Sequence, residues 1–353
     1  ADLGNQVDDG AITGTNMVIN GAMNVAQRSS SVTGATTNGY YTCDRFKVQI
    51  GNIGTYTVDQ STDAPNGFSN SWKISCTTAD ASPAAGDYLL LNHFIEGQDL
   101  QSLGFGTSGA KALTMSFWVK SNKTGNASFE IEQIDNSYKM AGFQYTINAA
   151  NTWEYKTISI PADASGVINN DNGAGFQINW WLNSGSTFTS GSHNSAWTAF
   201  AAGDTNPSNL GIGGSTSDTW QITGVCLNVG DSAIDFPHDE SYGETLAKCQ
   251  RYCQLWGEDT SVAGAVYNND RDIYYPFTFP EMRTTPSATF SDPPKIFTNS
   301  LSSIHTITAG GPNTDSTRSI RFQALNVTIG TQGQASWFQN NTTDSYFILE
   351  AEL

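Results

Sequence analysis

Short apolar runs bounded by turn residues are the feature that most restricts how this chain can fold. Within the segment 112–121 every second residue is apolar, at positions Leu113, Met115, Phe117 and Val119. A period of two is that of a β-strand with one buried face. Loops rich in Gly, Asn and Ser, such as SNKTGNAS, separate such runs, as in proteins with many short strands. The sequence therefore predicts an all-β protein of the sandwich or barrel type.

The strand-like segments form two groups, and we predict one domain for each group. The chain has 353 residues, more than a single hydrophobic core usually organises. The first group of segments lies between residues 40 and 230, and the second lies between residues 263 and 353. We expect a connector at 1–15, a β-sandwich domain at 16–240, a linking helix at 241–257, and a smaller antiparallel β-sandwich at 258–353.

One segment, SYGETLAKCQRYCQLWG at 241–257, is predicted to be a helix. Ser241 lies at the N-cap position and Glu244 follows three residues later, the spacing of a capping box. Gly257 suits the left-handed conformation that closes a helix C-terminus. Apolar residues recur at spacings of four and three, at Tyr242, Leu246, Cys249, Cys253 and Trp256. We expect this stripe to be buried at the junction of the two domains or at a subunit interface.

The charge of the chain restricts its partners. The formal net charge is −17, although charged residues make up only 14 % of the sequence. Such a surface repels phosphate backbones and anionic lipid headgroups, so we expect no nucleic-acid partner. No apolar run approaches the roughly 20 residues of a membrane span, and the first residues lack a signal-peptide pattern. We therefore expect no membrane insertion and no secretion signal.

The cysteines and the calcium-like loop both favour a protein without metals or cofactors. The five cysteines have no regular spacing, and we expect buried free thiols in a reducing cytosol; they are Cys43, Cys76, Cys226, Cys249 and Cys253. Neither CxxC nor a nearby His completes a zinc site around Cys249 and Cys253. The segment NNDNG at 169–173 is similar to a calcium loop but lacks the closing Glu, so we interpret it as a turn.

No catalytic pattern is present in the sequence. HExxH, GxSxG, a Walker loop and catalytic Cys–His spacing are all missing. We therefore predict no catalytic residues and a protein that is not an enzyme. A glycan-cleaving enzyme would need two carboxyl groups about 5–10 Å apart. Glu130 and Glu132 share one face of a predicted strand, which we interpret as a solvated face.

Tryptophans suggest a sugar-binding surface. Trp180 and Trp181 are adjacent on a predicted strand, so their side chains point to opposite faces. One indole then fills the core, and the other faces outward as a platform for a sugar ring. Alternatively, loop 183–200 covers the outer indole through Phe188 or Trp197. The candidate carbohydrate-binding residues are Trp180, Trp181 and Trp197.

Three stretches of the sequence resemble tailed-bacteriophage virion proteins of the tail-fibre or receptor-binding type. They are NMVINGAMNVAQRSSS with GYYTCDRFKV (16–48), ALTMSFWVKSNKTGNASFEIEQ (112–133) and WQITGVCLNVGDSAIDFPHDESYGETLAKCQRYCQLWG (220–257). A weaker match is PFTFPEMRTTPSATF (276–290). The opening QVDDGAITGT is similar to the connector repeats that precede such domains in phage fibres.

The resemblance implies a jelly roll like that of carbohydrate-binding modules, then the helix, then a terminal β-domain. It also implies a homotrimer attached to other virion proteins through its N-terminal segment, and it brings no catalytic residues. We therefore expect a non-enzymatic tail fibre or capsid-decorating appendage that contacts host-surface glycans. It would fold in the host cytoplasm and leave by lysis. The alternatives are a tailspike-type polysaccharide depolymerase, marked by a cleft with paired carboxylates, and a cellular carbohydrate-binding module, marked by an export signal.

Overall fold

The structure of the chain is a computed structural model. It describes residues 15–238, 240–257, 260–268, 272–291, 295–297, 304–306, 312–314, 316–324, 335–339 and 346–353. Apart from Thr15, the predicted connector at 1–15 lies outside the described residues. The chain divides into two compact units, residues 1–245 together with Leu353, and residues 246–352.

The first unit contains eleven named strands. In chain order they are β1 (Ser31–Ala35), β2 (Phe46–Gly51), β3 (Thr55–Ser61), β4 (Ser71–Thr78), β5 (Tyr88–Glu96), β6 (Leu113–Ser121), β7 (Gly125–Gln133), β8 (Lys139–Ile147), β9 (Glu154–Ile160), β10 (Ala174–Ser184) and β11 (Thr219–Val229). A short helix, α1 (Ser186–Thr189), follows β10, and 3₁₀ turns occupy Gly97–Leu103, Ile134–Asn136 and Ala202–Asp204.

These strands form a sandwich of two antiparallel sheets. One sheet has the order β1-β3-β4-β11-β6-β9, and the other has the order β2-β5-β10-β7-β8. The core between the sheets includes the alternating residues of β6, all of them fully buried: Leu113, Met115, Phe117 and Val119. The largest buried side chains are those of Trp72, Trp180 and Trp220. The period of two in the sequence therefore corresponds to a strand with one face in the core.

Loop backbone pairs with both outer strands of the five-stranded sheet. At β2, the N–H groups of Gly39 and Val48 each donate to the other residue's carbonyl, at 2.9 and 3.0 Å. At β8, Met140 and Thr198 exchange hydrogen bonds of 2.8 and 2.9 Å in the same way. The loop between β10 and β11 is consequently held along β8.

The second unit has ten named strands in two sheets. They are β12 (Cys253–Trp256), β13 (Ser261–Asn268), β14 (Asp272–Thr278), β15 (Ser287–Phe290), β16 (Lys295–Phe297), β17 (Ile304–Thr306), β18 (Pro312–Thr314), β19 (Ser319–Ala324), β20 (Ala335–Gln339) and β21 (Phe347–Glu350). The sheet orders are β12-β21-β15 and β17-β16-β20-β13-β14-β19-β18. Its core contains Tyr275, Phe322 and Phe347. The predicted fold class is confirmed: an all-β chain with a jelly-roll sandwich, a short helix and a smaller antiparallel sandwich.

The linking helix is shorter than predicted. Helix α2 covers Tyr242–Gln250, and the predicted second half is the strand β12. Cys253 pairs with Glu350 and Trp256 pairs with Phe347, so tertiary strand pairing overrides the helical pattern.

The five residues of the predicted stripe therefore do not share one helix face, which corrects that prediction. Tyr242 is 59 % exposed, while Cys249 and Cys253 are fully buried. Leu246 is half-buried, and Trp256 is half-buried and packs against the core of the second unit. Their role at a domain or subunit interface stays a prediction.

All five cysteines are buried, as predicted, and each is a free thiol. Burial raises the pKa of the Cys43 thiol far above its ordinary value, which leaves it unreactive. Of the helices in the described part of the chain, none has the length and apolar character needed to cross a membrane.

Candidate functional site

A groove of about 420 Å³ lies on the face of the five-stranded sheet that points away from the core. This volume falls in the range of ~300–1,000 Å³ that is usual for small-molecule sites. Strands β2, β5, β7 and β10 supply its floor, with Gln49, Tyr88, Leu90, Glu130, Glu132, Gln177, Asn179 and Trp181. Its walls come from segments outside the strands, with Tyr138, Phe188, Phe200 and Thr205.

The strand register explains why these side chains meet. Phe129 and Ile131 of β7 fill the core, so the alternate residues Glu130 and Glu132 point into the groove. On the neighbouring strand β10, Asn179 lies opposite Glu130, and Gln177 lies opposite Glu132. Polar side chains of two adjacent strands are thus placed side by side on the floor.

A hydrogen-bonded chain of polar groups runs along this floor. The Oε1 atom of Glu130 accepts hydrogen bonds from Trp181 Nε1 at 2.8 Å and from Asn179 Nδ2 at 2.9 Å. Gln177 Nε2 donates to Asn179 Oδ1 at 3.1 Å. The second oxygen, Oε2 of Glu130, is buried and has no hydrogen-bond partner among the described residues. The floor therefore presents one unused acceptor next to oriented amides.

Glu130 and Glu132 are buried, which corrects the interpretation of their face as solvated. Their exposed fractions are 1 % and 4 %. Burial raises the pKa of Glu130, although the hydrogen bonds from Trp181 and Asn179 act in the opposite direction. Burial also raises the pKa of Glu132, and the nearby charge of Glu130 raises it further. The cause is the loop after β10, whose side chains enclose the floor.

Two exposed aromatic rings form one edge of the groove. Tyr138 is 51 % exposed, Phe200 is 45 % exposed, and their ring centroids lie 6.5 Å apart. Both Ser137 and Tyr138 have left-handed backbone conformations, with φ of 54° and 59°. Non-glycine residues adopt that conformation at a cost in free energy, and such strain concentrates at binding sites. The turn between β7 and β8 therefore sets the backbone conformation from which the Tyr138 side chain projects.

The loop between β10 and β11 supplies Phe188 as well as Phe200 to the wall of the groove. Phe188 lies 5.2 Å from the ring of Trp181 and 5.8 Å from that of Tyr88. Gly142 donates a hydrogen bond to Asn194 at 2.8 Å, in addition to the pairing of Met140 with Thr198. The loop is therefore fixed to β8 at two points, which sets where Phe200 stands.

The structure separates the three tryptophans that the sequence proposed as sugar contacts. Trp181 lines the groove and is 5 % exposed, because Phe188 of loop 183–200 covers part of it. Trp180 is fully buried in the core, so its contact with a ligand is excluded and that prediction is corrected. Trp197 is outside the groove lining: its ring stacks 6.1 Å from that of Phe176, and its Nε1 donates to Pro161.

The sequence interpretation missed most of the groove. Its missed residues include Gln177 and Asn179 on the floor, and Tyr138 and Phe200 at the edge. A signal exists for the floor, because Gln177, Asn179 and Trp181 occupy every second position of β10. Two amides and an indole on one strand face indicate a surface built for hydrogen bonding and stacking.

The calcium-like segment is a turn in the structure. Asp171 Oδ1 accepts a hydrogen bond from the Gly173 N–H at 2.8 Å, which is an Asx-type turn. Within the described ranges, no three His, Cys, Asp or Glu side chains are grouped so that they could hold a metal ion.

Comparison with known proteins gives structural similarities only. No protein-family model matches the chain, and no curated protein matches it. The enzymatically active domain of tailspike protein 4 of bacteriophage CBA120 is 15 % identical, with a TM-score of 0.32. That match covers 61 % of this chain and 21 % of the tailspike chain, so this chain spans about a fifth of that protein.

Two further matches are carbohydrate-binding modules. A CBM4 structure is 14 % identical with a TM-score of 0.31, and the match covers 60 % of this chain and 99 % of that chain. The tandem CBM22-1–CBM22-2 domain of Paenibacillus barcinonensis Xyn10C is 8 % identical with a TM-score of 0.31. That match covers 97 % of this chain and 98 % of the other.

Proposed function

We propose that this chain is a non-enzymatic glycan-binding protein and that the groove on the five-stranded sheet is its binding site. The observation that carries the proposal is the combination of aromatic rings and oriented polar groups in one cavity. A sugar ring has an apolar face that stacks on an aromatic ring, and hydroxyl groups that need hydrogen-bond partners. Tyr138, Phe200 and Trp181 supply rings, while Gln177, Asn179 and Glu130 supply amide and carboxyl groups.

We infer further that the protein is a structural component of a phage virion, either a tail fibre or a capsid-decorating appendage. The support is the resemblance of segments 16–48, 112–133 and 220–257 to tail-fibre proteins. In this proposal the N-terminal segment attaches three copies of the chain to other virion proteins. The groove then contacts glycans on the host surface.

Binding to a glycan array, followed by calorimetry of the retained glycans, tests the groove. Tyr138→Ala and Phe200→Ala each remove an exposed ring at its edge. We expect about tenfold weaker binding for each, equivalent to about 1.4 kcal/mol. Tyr155→Ala is the matched control, because Tyr155 is 44 % exposed on β9 of the other sheet. Equal affinity of all three variants, or no glycan retained by the parent protein, would contradict the proposal.

The carboxyl pair favours a second candidate function, polysaccharide depolymerisation. Glu130 and Glu132 are buried together in a groove, and glycoside hydrolysis uses two carboxyl groups of different protonation. Binding stays our first proposal because these groups are neighbours on the floor, whereas catalytic carboxyl groups flank the scissile bond. Chain length of polysaccharides after incubation tests the alternative. If the parent protein shortens the polysaccharide and Glu130→Gln does not, the result would favour the enzyme.

A further inference from the structure

The groove contains acidic groups and no basic side chain among its described lining residues. Lysines on the two outer strands of the same sheet contact other groups. Lys47 on β2 lies over the ring of Tyr40, 5.5 Å from its centroid. Lys139 on β8 forms an ion pair with Asp163 at 2.7 Å. Glu130 and Glu132 therefore share the floor of the groove without a protein cation to balance them.

An unbalanced buried carboxyl pair is costly for a folded protein. Removing a carboxylate from water disfavours its charged form, and a second carboxylate beside it adds repulsion. Within the described residues no side chain donates a hydrogen bond to Glu132, and Oε2 of Glu130 is also without a donor. If the ligand were a neutral sugar, Asn or Gln side chains in place of the two glutamates would bond its hydroxyl groups with a smaller desolvation penalty. A cation supplied by the ligand would balance the pair.

We propose, on the basis of the glycan-binding function, that the groove selects glycans with a free amino group, which is held between Glu130 Oε2 and the carboxyl group of Glu132. An ammonium group has three N–H donors, enough for both carboxyl groups and one further acceptor. The rings of Tyr138 and Phe200 remain available for the apolar face of the sugar. Once the pair is ionised, uronates, sialates and other anionic sugars meet repulsion from it.

Calorimetry with matched tetrasaccharides tests this selectivity. The full-length chain is titrated at pH 6 and at pH 7.5 with β-1,4-linked tetramers of glucosamine, N-acetylglucosamine, glucose and glucuronate, because burial raises the pKa of both carboxyl groups and a bound ammonium group has to displace their protons. The backbone linkage is constant, and each of the other sugars differs from glucose at one carbon: C2 in glucosamine and N-acetylglucosamine, and C6 in glucuronate. We expect the glucosamine tetramer to bind at least tenfold more tightly than the glucose tetramer, and the glucuronate tetramer to bind least.

Substitutions test whether Glu130 and Glu132 cause the preference for glucosamine. Glu132→Gln retains the shape of the side chain and removes its ionisable group, so we expect the ratio of glucosamine affinity to glucose affinity to fall by about tenfold. Glu130→Gln should act in the same direction. Asp231→Asn is the control, because it removes one charge from an exposed position outside the groove lining. The control should keep the full preference.

The outcomes separate this inference from the proposed function. Equal or tighter binding of the glucose or N-acetylglucosamine tetramer overturns the amine selectivity and leaves glycan binding intact. Failure of all four tetramers to bind, together with an empty glycan array, overturns both. The inference is overturned if Glu132→Gln retains the preference for glucosamine. It is also overturned if tetralysine binds as tightly as the glucosamine tetramer, because the attraction then comes from the overall negative charge of the protein. Binding that requires added calcium also overturns it.

Discussion

At the scale of single residues, the environment of Glu130 and Glu132 shows where sequence interpretation reaches its limit. In FEIEQ the alternation of apolar and acidic residues is the same for a solvated face and for a buried groove. What distinguishes the two is the loop after β10, which lies more than 50 residues away in the sequence and is fixed to β8 by backbone hydrogen bonds. The neighbouring indoles were easier: alternation predicts that Trp180 and Trp181 face opposite sides, and they do.

Replacement of Glu132 by Gln should change how stability depends on pH. The folded-state pKa of Glu132 is raised, so its contribution to stability is complete below the unfolded-state value of about 4.3 and is lost as pH increases above it. A difference of one pKa unit between the folded and unfolded states corresponds to about 1.4 kcal/mol. We therefore expect the free energy of unfolding of Glu132→Gln, relative to the parent, to increase between pH 4.5 and 8.

Urea denaturation at several pH values measures this difference. Asp231→Asn serves as the reference, because it removes an exposed carboxyl group outside the groove lining. A pH-independent offset for Glu132→Gln would show that Glu132 is not held in a costly environment.

At the scale of elements, strands with one buried face were predictable and the end of the helix was not. In β6 the spacing of apolar residues by itself identifies the face in the core. In α2 the capping box is present as predicted: Ser241 N–H donates to Glu244 Oε2 at 2.7 Å, and Glu244 N–H donates to Ser241 Oγ at 3.3 Å. The helix nevertheless stops at Gln250, because β21 offers Cys253–Trp256 a strand partner that no local pattern announces.

Ser241→Ala should weaken the first turn of α2. Loss of an N-cap side chain costs about 1 kcal/mol, here through the Ser241 Oγ acceptor of the Glu244 N–H, while the backbone N–H of residue 241 can still donate to Glu244 Oε2. We expect faster amide hydrogen exchange at Glu244 and Thr245, whose N–H groups bond to Ser241. Ser241→Thr keeps a hydroxyl acceptor and should retain most of the protection. Unchanged exchange in the alanine variant would mean that the box contributes nothing.

Trp256→Ala should destabilise the second unit by about 2–3 kcal/mol, because the half-buried indole packs against the core and its loss removes those contacts. The Trp256 ring contacts those of Phe277, at 4.8 Å between centroids, and Phe347, at 6.3 Å. Tyr242→Ala is the comparison, since Tyr242 belongs to the same predicted stripe but is 59 % exposed. Thermal unfolding distinguishes the two. Equal effects of both substitutions would contradict the placement of Trp256 on a core strand.

At the scale of the whole molecule, short alternating apolar runs bounded by turn residues predicted an all-β protein, and the fold agrees. The jelly-roll assignment came from resemblance to phage proteins, because alternation alone does not distinguish a sandwich from a barrel. The groove required the folded sheet: its floor combines β2, β5, β7 and β10, which are separated along the chain but adjacent in space.

Light scattering of the purified chain should give three times the chain mass of 37.9 kDa. This expectation follows from the proposed virion role, in which fibre proteins assemble as trimers. Measurements over a range of concentrations distinguish stable assembly from weak association. A monomer at high concentration would contradict the trimer and favour a solitary glycan-binding module.

The loop backbone that pairs with β2 and β8 protects the edges of the five-stranded sheet from pairing with other molecules. The outermost strand of a sheet normally exposes unpaired N–H and C=O groups, which recruit strands from other molecules and start aggregation. In the five-stranded sheet Gly39 occupies part of that row on one side, and Thr198 and Asn194 occupy part of it on the other. When many copies of the chain lie close together, the five-stranded sheet of one copy is therefore less able to pair with that of its neighbour. The groove face of the sheet then stays accessible.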